Sequence, residues 1–183
     1  MEQLSPTAYV ILGFVRSQPR SGYEIKALVD NSTRFFWAAS YGQIYPELKR
    51  LSEAGLIAGS DTPTGGRKRT VYEITADGEE ELRAWLRQPP GTFEMRDEGL
   101  LKLFFADALP RTEAVEILRA MRRQRLAVHE RLRAIKDLKL KGESEDSLPL
   151  IVLEGGLEFS EWFADWCERM EARLLDSAPG EKE

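Results

Sequence analysis

Two basic clusters in the first half of the chain have the composition of a phosphate-binding surface. Lys49 and Arg50 are adjacent in the segment SYGQIYPELKRL, and the sequence GGRKR occupies residues 65–69. Lysine and arginine neutralise phosphates, and glycine lets the backbone approach a phosphate closely. A basic turn is also typical of an ordinary solvated loop. The secondary structure predicted around the two clusters is therefore needed to distinguish a binding surface from a solvated loop.

The chain contains few of the histidines and cysteines that many catalytic and metal sites use. The chain has one histidine, His129, and one cysteine, Cys167, and it contains no phosphate-cradling motif of the P-loop kind. We therefore expect no enzyme activity, no cofactor and no metal site. His129 is expected to be a solvated residue and Cys167 a buried structural thiol, with a redox switch as the alternative for the thiol.

The distribution of charge separates the chain into two halves. The net charge of −5 argues mildly against nucleic-acid binding, but residues 1–90 hold 11 basic and 11 acidic residues, whereas residues 91–183 hold 15 and 20. Pro89, Pro90 and Gly91 end one helical pattern before the next begins. We expect a DNA-binding domain at 1–91, a helical domain at 92–176 and a disordered tail at 177–183. No leader or apolar span is evident, which predicts a cytoplasmic protein without membrane contact.

Helix-start signals define the elements before the first basic cluster. Ser5 and Pro6 are typical of a helix start, and this first helix is predicted to reach about Ser17. Ser21 and Glu24 have the spacing of a capping box at the start of a second helix. The apolar face of this second helix is predicted to be buried and consists of Tyr23, Ile25, Leu28 and Val29.

A third helix carries Lys49 and Arg50, and its start is ambiguous. Its buried face is predicted to consist of Ile44, Leu48 and Leu51, and Gly55 marks its end. A start capped by Ser40 and Gln43 would leave Pro46 inside the helix, where it removes a backbone hydrogen bond. A start near Gln43 would place Pro46 in the first turn. We favour the second placement because it loses no backbone donor.

The second basic cluster falls on a predicted β-hairpin. The runs LIAGS and RTVYEIT flank it, and Thr75 then caps a fourth helix. Three helices, a hairpin and a further helix are the order of a winged helix-turn-helix, in which the third helix enters the major groove and the hairpin is the wing. This order favours DNA binding over a merely solvated turn.

Three motifs carry a resemblance to a known family. The elements Gly22-Tyr23-Glu24-Ile25, Ile44-Tyr45-Pro46 and the Gly-Arg-Lys-Arg wing resemble the PadR family of bacterial transcriptional regulators in order and spacing. The segment RDEGLLKLFFADALPRTEAVEIL is similar to the start of the C-terminal domain in the longer branch, which contains virulence-activator-like regulators. The resemblance extends from about Leu4 to Leu175. It implies homodimers joined through C-terminal helices, and planar phenolic or multidrug-like effectors at the dimer interface.

The second half can also be interpreted without the resemblance. A long helix is predicted over residues 111–141, and Arg125 interrupts its narrow apolar stripe. This stripe consists of Leu118, Met121, Val128, Leu132, Ile135 and Leu138. A final helix is predicted over residues 149–175. Two helices have too small a core for a stable monomer, so we expect them to meet the same pair of a second subunit.

These observations predict a mostly α protein with an N-terminal winged helix-turn-helix and a C-terminal long-helix dimerisation domain. We expect a homodimeric repressor that binds a palindromic operator in double-stranded DNA and is relieved by a small aromatic effector. A transcriptional activator of the same fold, or an adaptor that no longer binds DNA specifically, are the alternatives. The predicted DNA-binding residues are Ser40, Tyr41, Gln43, Tyr45, Lys49, Arg50, Gly66, Arg67, Lys68 and Arg69. The predicted effector pocket consists of Trp37, Phe93, Trp162 and Trp166.

Two of the predicted DNA contacts have structural alternatives. Gln43 can pair bidentately with adenine, or it can serve only to cap the third helix. The Tyr45 ring can face DNA, or it can pack against the wing.

Overall fold

Polar side chains that bind backbone N–H groups start several helices of this protein. The Ser5 hydroxyl accepts from the backbone N–H of Ala8 at 3.2 Å, and the Thr75 hydroxyl accepts from that of Gly78 at 3.1 Å. The helices that follow begin at Pro6 and Ala76, as the sequence predicts. Each cap satisfies a donor that the first helical turn cannot pair internally.

The computed structural model describes residues 4–64, 67–92, 94–140, 144 and 146–176. The chain divides into two units, Met1–Thr92 and Phe93–Glu183. The predicted tail at 177–183 lies outside the described residues. The first unit contains α1 Pro6–Ser17, β1 Arg20–Ser21, α2 Gly22–Asn31, a 3-10 turn Thr33–Phe35, α3 Tyr41–Glu53, β2 Ile57–Thr64, β3 Arg67–Ile74 and α4 Ala76–Leu86. The second unit contains α5 Glu98–Phe104, a 3-10 turn Ala106–Ala108, α6 Arg111–Lys139 and α7 Leu148–Asp176.

The sheet of the first unit has three antiparallel strands in the order β1-β3-β2. Strands β2 and β3 form the wing, and Ile57 pairs with Ile74 at its base. Strand β1 adds the pairs Arg20 with Tyr72 and Ser21 with Val71. The sequence did not predict β1, because two residues are too few to carry an alternating pattern. This short strand joins the base of the wing to the start of α2.

The core of the first unit draws on all four of its helices. Its buried residues are Ala8, Tyr9, Ile11, Leu12, Val15, Ile25, Val29, Ala39, Ile44, Leu48, Leu51, Ile57 and Leu82. The prediction that Tyr23 is buried is wrong, since 68% of this residue is exposed. At 100° per residue, Tyr23 lies about 200° from Ile25, so the two point to opposite sides of α2.

Helix α3 begins at Tyr41, so the predicted start near Gln43 is wrong and Pro46 lies inside the helix. The backbone carbonyl of Ser40 accepts from the N–H groups of Gln43 and Ile44, both at 3.0 Å, which sets the earlier start. Pro46 has no N–H to donate to the carbonyl of Gly42. Because Gly42 is exposed, water can replace the missing donor there.

The end of α3 agrees with the prediction from Gly55. Gly55 has a φ of 71°, in the left-handed region that glycine enters without strain. The N–H of Leu56 donates to the carbonyl of Leu51 at 2.9 Å, and the N–H of Gly55 donates to that of Ser52 at 3.1 Å. These two bonds form a Schellman motif and stop the helix.

In the second unit, α6 and α7 pack as an antiparallel pair. Arg122 near the middle of α6 pairs with Glu168 on α7, and Lys136 near its end pairs with Glu154. The buried cluster between the helices consists of Leu118, Met121, Phe163 and Cys167. Within the described ranges, no helix is long and apolar enough to cross a bilayer.

The apolar stripe predicted on α6 does not extend to Leu138, which is 69% exposed. A straight α-helix advances 100° per residue, which places Leu138 about 200° around the axis from Leu118. Leu132 lies only about 40° from Leu118 and is buried. A seven-residue coiled-coil repeat that contains Leu118, Leu132 and Ile135 continues at position 139, so Leu138 lies off the stripe in either geometry.

Candidate nucleic-acid interface

Helix α3 presents two different faces. Ile44, Leu48 and Leu51 are buried in the core of the first unit. Five polar or aromatic side chains at the remaining positions are exposed: Tyr41, Gln43, Tyr45, Lys49 and Arg50. The helix is thus anchored on one side and offers hydrogen-bonding groups on the other, as a groove-reading helix requires.

The side chain of Gln43 serves as a helix cap. Its Oε1 accepts from the backbone N–H of Ser40 at 2.9 Å and from the Ser40 hydroxyl at 3.1 Å. A bidentate contact with adenine uses both the oxygen and the nitrogen of a glutamine amide. The cap and base readout would therefore compete for the same oxygen, and readout by Gln43 stays a prediction.

Tyr45 packs over the start of α2. A Cβ atom on Gly22 would lie 2.9 Å from Cε1 of Tyr45, so only glycine fits beneath the ring without displacing it. The rings of Tyr41 and Tyr45 stack with centroids 6.1 Å apart, and Nζ of Lys26 lies 5.4 Å from the centroid of Tyr41. The contact between Gly22 and Tyr45 brings the Gly-Tyr-Glu-Ile and Ile-Tyr-Pro motifs together and explains why position 22 is a glycine.

Glu47 orients Arg50, and sequence reasoning missed it. Oε1 of Glu47 accepts from the Ser5 hydroxyl at 2.8 Å and lies 3.1 Å from Nη1 of Arg50. The side chain of Glu47 is only 12% exposed, whereas that of Arg50 is 46% exposed. Glutamate three residues before arginine on one helix was the available signal. Ser5 lies 42 residues away, so its contribution was not predictable from spacing.

The described part of the wing places the second basic cluster on β3. Arg67 pairs with Thr64 and Lys68 with Pro63 through the backbone. Gly66 and the side chains of Arg67 and Lys68 lie outside the described residues. The side chain of Arg69 is described. Its Nη2 lies 2.5 Å from Oε2 of Glu24 on α2.

The carboxylate of Glu24 is strongly stabilised in its ionised form. The Arg69 guanidinium, together with the backbone N–H and hydroxyl of Ser21, lowers the pKa of Glu24 to about 2. The same contact raises the pKa of Arg69 above its ordinary value. The pair is therefore fully charged at neutral pH.

The aromatic residues predicted to form an effector pocket are distributed over both units. Trp37 follows the 3-10 turn of the first unit and is 42% exposed. Trp162 and Trp166 lie on α7, and the ring centroid of Phe163 lies 6.2 Å and 5.5 Å from theirs, respectively. Phe93 lies outside the described residues. Whether these aromatic residues hold an effector stays a prediction.

The single histidine and cysteine belong to the α6–α7 contact. Nδ1 of His129 lies 3.4 Å from the carbonyl oxygen of Leu157, and the residue is half-buried, so the prediction that it is solvated is wrong. Cys167 is fully buried, and burial raises the pKa of its thiol. Among the residues that the structure describes, no group of three His, Cys, Asp or Glu side chains could hold a metal ion.

Comparison with known proteins identifies the family. Residues 11–84 match the model of the transcriptional regulator PadR-like family, and residues 95–174 match the virulence activator alpha C-terminal domain. The chain is 32% identical over 175 residues to the negative transcriptional regulator PadR of Bacillus subtilis, covering 91% of this chain and 96% of that protein. This chain belongs to the PadR-like family. The family resemblance inferred from the three motifs is thereby confirmed.

Solved structures extend the PadR-like likeness to the whole fold. The crystal structure of B. subtilis PadR in complex with operator DNA has a TM-score of 0.81 at 32% identity and covers 91% of this chain and 98% of that one. The structure of the same regulator in complex with p-coumaric acid has a TM-score of 0.74 at 31% identity, with 91% and 97% covered. The predicted winged helix-turn-helix followed by long C-terminal helices is confirmed.

Proposed function

We propose that this PadR-like regulator is a homodimeric repressor that binds a palindromic operator through α3 and the wing. The observation that carries the proposal is the exposed face of α3, where Tyr41, Tyr45 and Arg50 stand on a helix anchored in the core. The operator complex of B. subtilis PadR supports it, because that relative has the same fold at 32% identity. That relative is a negative transcriptional regulator, which supports repression over activation.

Within this proposal the two basic clusters have different tasks. Tyr41, Gln43, Tyr45, Lys49 and Arg50 face the major groove, where base edges carry the sequence code, while Ser40 at the start of α3 contacts a phosphate. Gly66, Arg67, Lys68 and Arg69 on the wing contact the sugar-phosphate backbone. Phosphate contacts supply affinity that falls with salt, and base contacts supply sequence preference.

A dimer is supported by the apolar surface that α7 leaves exposed. Its large exposed side chains are Leu148, Ile151, Val152, Phe159 and Trp162. Contact with a second copy would bury them, and two-fold symmetry would place two copies of α3 about one DNA turn, roughly 34 Å, or a multiple of it apart. Such a dimer would bind a palindrome.

A small planar aromatic compound is the proposed effector, and the residues proposed to contact it are Trp37, Phe93, Trp162 and Trp166. The support is the complex of B. subtilis PadR with p-coumaric acid together with the exposed ring of Trp162. Aromatic rings of ligand and protein would stack there. We expect p-coumaric acid, used as the probe, to release the protein from its operator. Unchanged operator affinity at saturating probe, with no binding heat in calorimetry, would contradict this part of the proposal.

The proposed function is tested by footprinting the protein on the DNA upstream of its own coding region, followed by a salt titration. We expect a two-fold symmetric footprint and a log affinity that falls steeply with log salt concentration. A random duplex of equal length is the control. Equal affinity for the footprinted and random duplexes at physiological salt would favour the adaptor. Increased transcription from the bound promoter in a reconstituted assay would favour the activator.

A further inference from the structure

A single carboxylate joins the start of α2 to the wing. Oε2 of Glu24 accepts from the backbone N–H and the hydroxyl of Ser21, both at 2.9 Å, and lies 2.5 Å from Nη2 of Arg69. The two bonds from Ser21 hold the carboxylate without any help from the wing. Ser21 itself pairs with Val71 on β3. The guanidinium of Arg69 therefore has a fixed acceptor beside its own strand.

Stability alone does not explain this arrangement. The side chains of Arg69 and Glu24 are 43% and 42% exposed, and ion pairs in such positions contribute little to the free energy of unfolding because water screens both charges. The geometry has a second consequence. A guanidinium has five N–H donors in a planar fork, and the contact with Glu24 engages Nη2, so donors remain for a phosphate.

We propose that Glu24 is a positioning residue for DNA binding, whose carboxylate holds the Arg69 guanidinium ready for contact with a phosphate. The inference rests on the proposed function. A long arginine side chain loses rotamer freedom when it binds, and an acceptor that already restrains it reduces this loss. By its charge alone Glu24 would repel DNA. Positioning and repulsion have opposite signs, so affinity measurements separate them.

The test uses Glu24→Gln in the full-length chain. Glutamine at this position still accepts from the N-cap backbone, so the start of α2 is kept while the negative charge is removed. Glu79→Gln is the matched control, because Glu79 also lies in the first turn of a helix and pairs with an arginine, Arg83. Both variants change the net charge by one.

We expect Glu24→Gln to weaken binding to the operator duplex by about three- to tenfold, and Glu79→Gln not to weaken it. In a chain that already carries Arg69→Gln, adding Glu24→Gln should cause no further loss. Binding of Glu24→Gln that equals or exceeds that of the control, or a full additional loss in the Arg69→Gln background, would overturn the inference.

Two further measurements keep the result interpretable. If circular dichroism shows that Glu24→Gln does not fold, the operator affinity of Arg69→Lys tests the same ion pair through its other member. Lysine keeps the positive charge but lacks the planar fork of donors. A loss of similar size supports positioning, and full retention of affinity overturns it. A wild-type protein without operator preference overturns the proposed function and this inference together, whereas a normal wild type with a normal Glu24→Gln overturns only the inference.

Discussion

The two units of this protein bury their apolar residues to different degrees. In the winged-helix unit, side chains from all four helices and β2 close around one core. In the helical unit, the buried cluster between α6 and α7 consists of Leu118, Met121, Phe163 and Cys167. Large apolar side chains remain exposed on this unit, among them Phe104, Leu138 and Leu148.

The difference indicates where each unit obtains its stability. A helix pair has one seam, whereas a closed arrangement of four helices and a sheet surrounds its core. The first unit is therefore complete as a fold and can present α3 rigidly. The second unit leaves apolar area that a partner surface would bury, which is the physical basis for the proposed dimer.

The largest expected effect concerns the closed core of the first unit. A Cβ atom on Gly78 would lie 2.0 Å from the backbone carbonyl oxygen of Leu56, and backbone cannot yield as a flexible side chain can. We expect Gly78→Ala to lower the free energy of unfolding by about 3 kcal/mol, measured by urea denaturation. Gly13→Ala is the control, since no described atom beyond its chain neighbours and its own helix backbone lies within 4 Å of its added Cβ. The control should gain about 0.5 to 1 kcal/mol, because alanine favours a helix. Equal effects at the two glycines would contradict this account of a tightly closed core.

The second effect concerns the exposed apolar face of α7. Val152 is 53% exposed, and Val152→Asp would place a charge within the proposed dimer contact. We expect the dissociation constant of the dimer to rise roughly thirtyfold, about 2 kcal/mol, in sedimentation experiments. Leu86→Asp in the winged-helix unit, where Leu86 is 65% exposed, is the matched control and should leave the dimer intact. Dissociation of both variants alike, or of neither, would remove the distinction between the two units.

The third effect concerns the partly buried ion pair formed by Arg125, the residue that interrupts the apolar stripe of α6. Nη2 of Arg125 lies 3.1 Å from Oδ2 of Asp97, and its guanidinium lies 4.6 Å from the ring centroid of Phe163. Asp97 also caps α5, since its Oδ1 accepts from the backbone N–H of Leu100 at 3.0 Å. Asp97→Asn keeps this cap but removes the charge, and should cost about 1.5 kcal/mol of unfolding free energy. Glu98→Gln, whose partner Lys102 is exposed, is the control and should change nothing measurable by chemical denaturation. An unchanged free energy of unfolding in Asp97→Asn would mean that the ion pair does not stabilise the second unit.

The smallest effect is the pH dependence of the Glu24 contact. The folded pKa of Glu24 is lowered to about 2 from an ordinary value of 4.5, so its contribution to stability is present above pH 4.5 and is lost as the pH falls towards 2. Because the side chain is 42% exposed, we expect at most about 1 kcal/mol. The thermal midpoints of wild type and Glu24→Gln should differ at pH 7 and converge near pH 2. A difference that stays constant down to pH 2 would show that the carboxylate charge is not its source.

The helix boundaries of the first unit were largely predictable, because their determinants are local. Ser5, Ser21 and Thr75 act on N–H groups three residues away, and Gly55 acts through its own φ. Pro46 was misplaced for the opposite reason. Proline is normally tolerated only in the first turn of a helix. Here the hydrogen bonds to the carbonyl of Ser40 and the burial of Ile44 start the helix earlier, and they outweigh the one backbone hydrogen bond that Pro46 removes.

Sequence by itself determined the order of the four helices and the hairpin of the first unit, the anchored face of α3 and the family, since each follows from short-range spacing or from motifs a few residues long. Only the tertiary structure decided which groups restrain the basic side chains. Ser5 reaches Glu47 and through it Arg50, and Glu24 holds Arg69. Ser5 and Glu47, like Glu24 and Arg69, lie tens of residues apart, and no local periodicity relates the members of either pair. They meet because the sheet and the helices close around one core, which brings distant charges together at its surface.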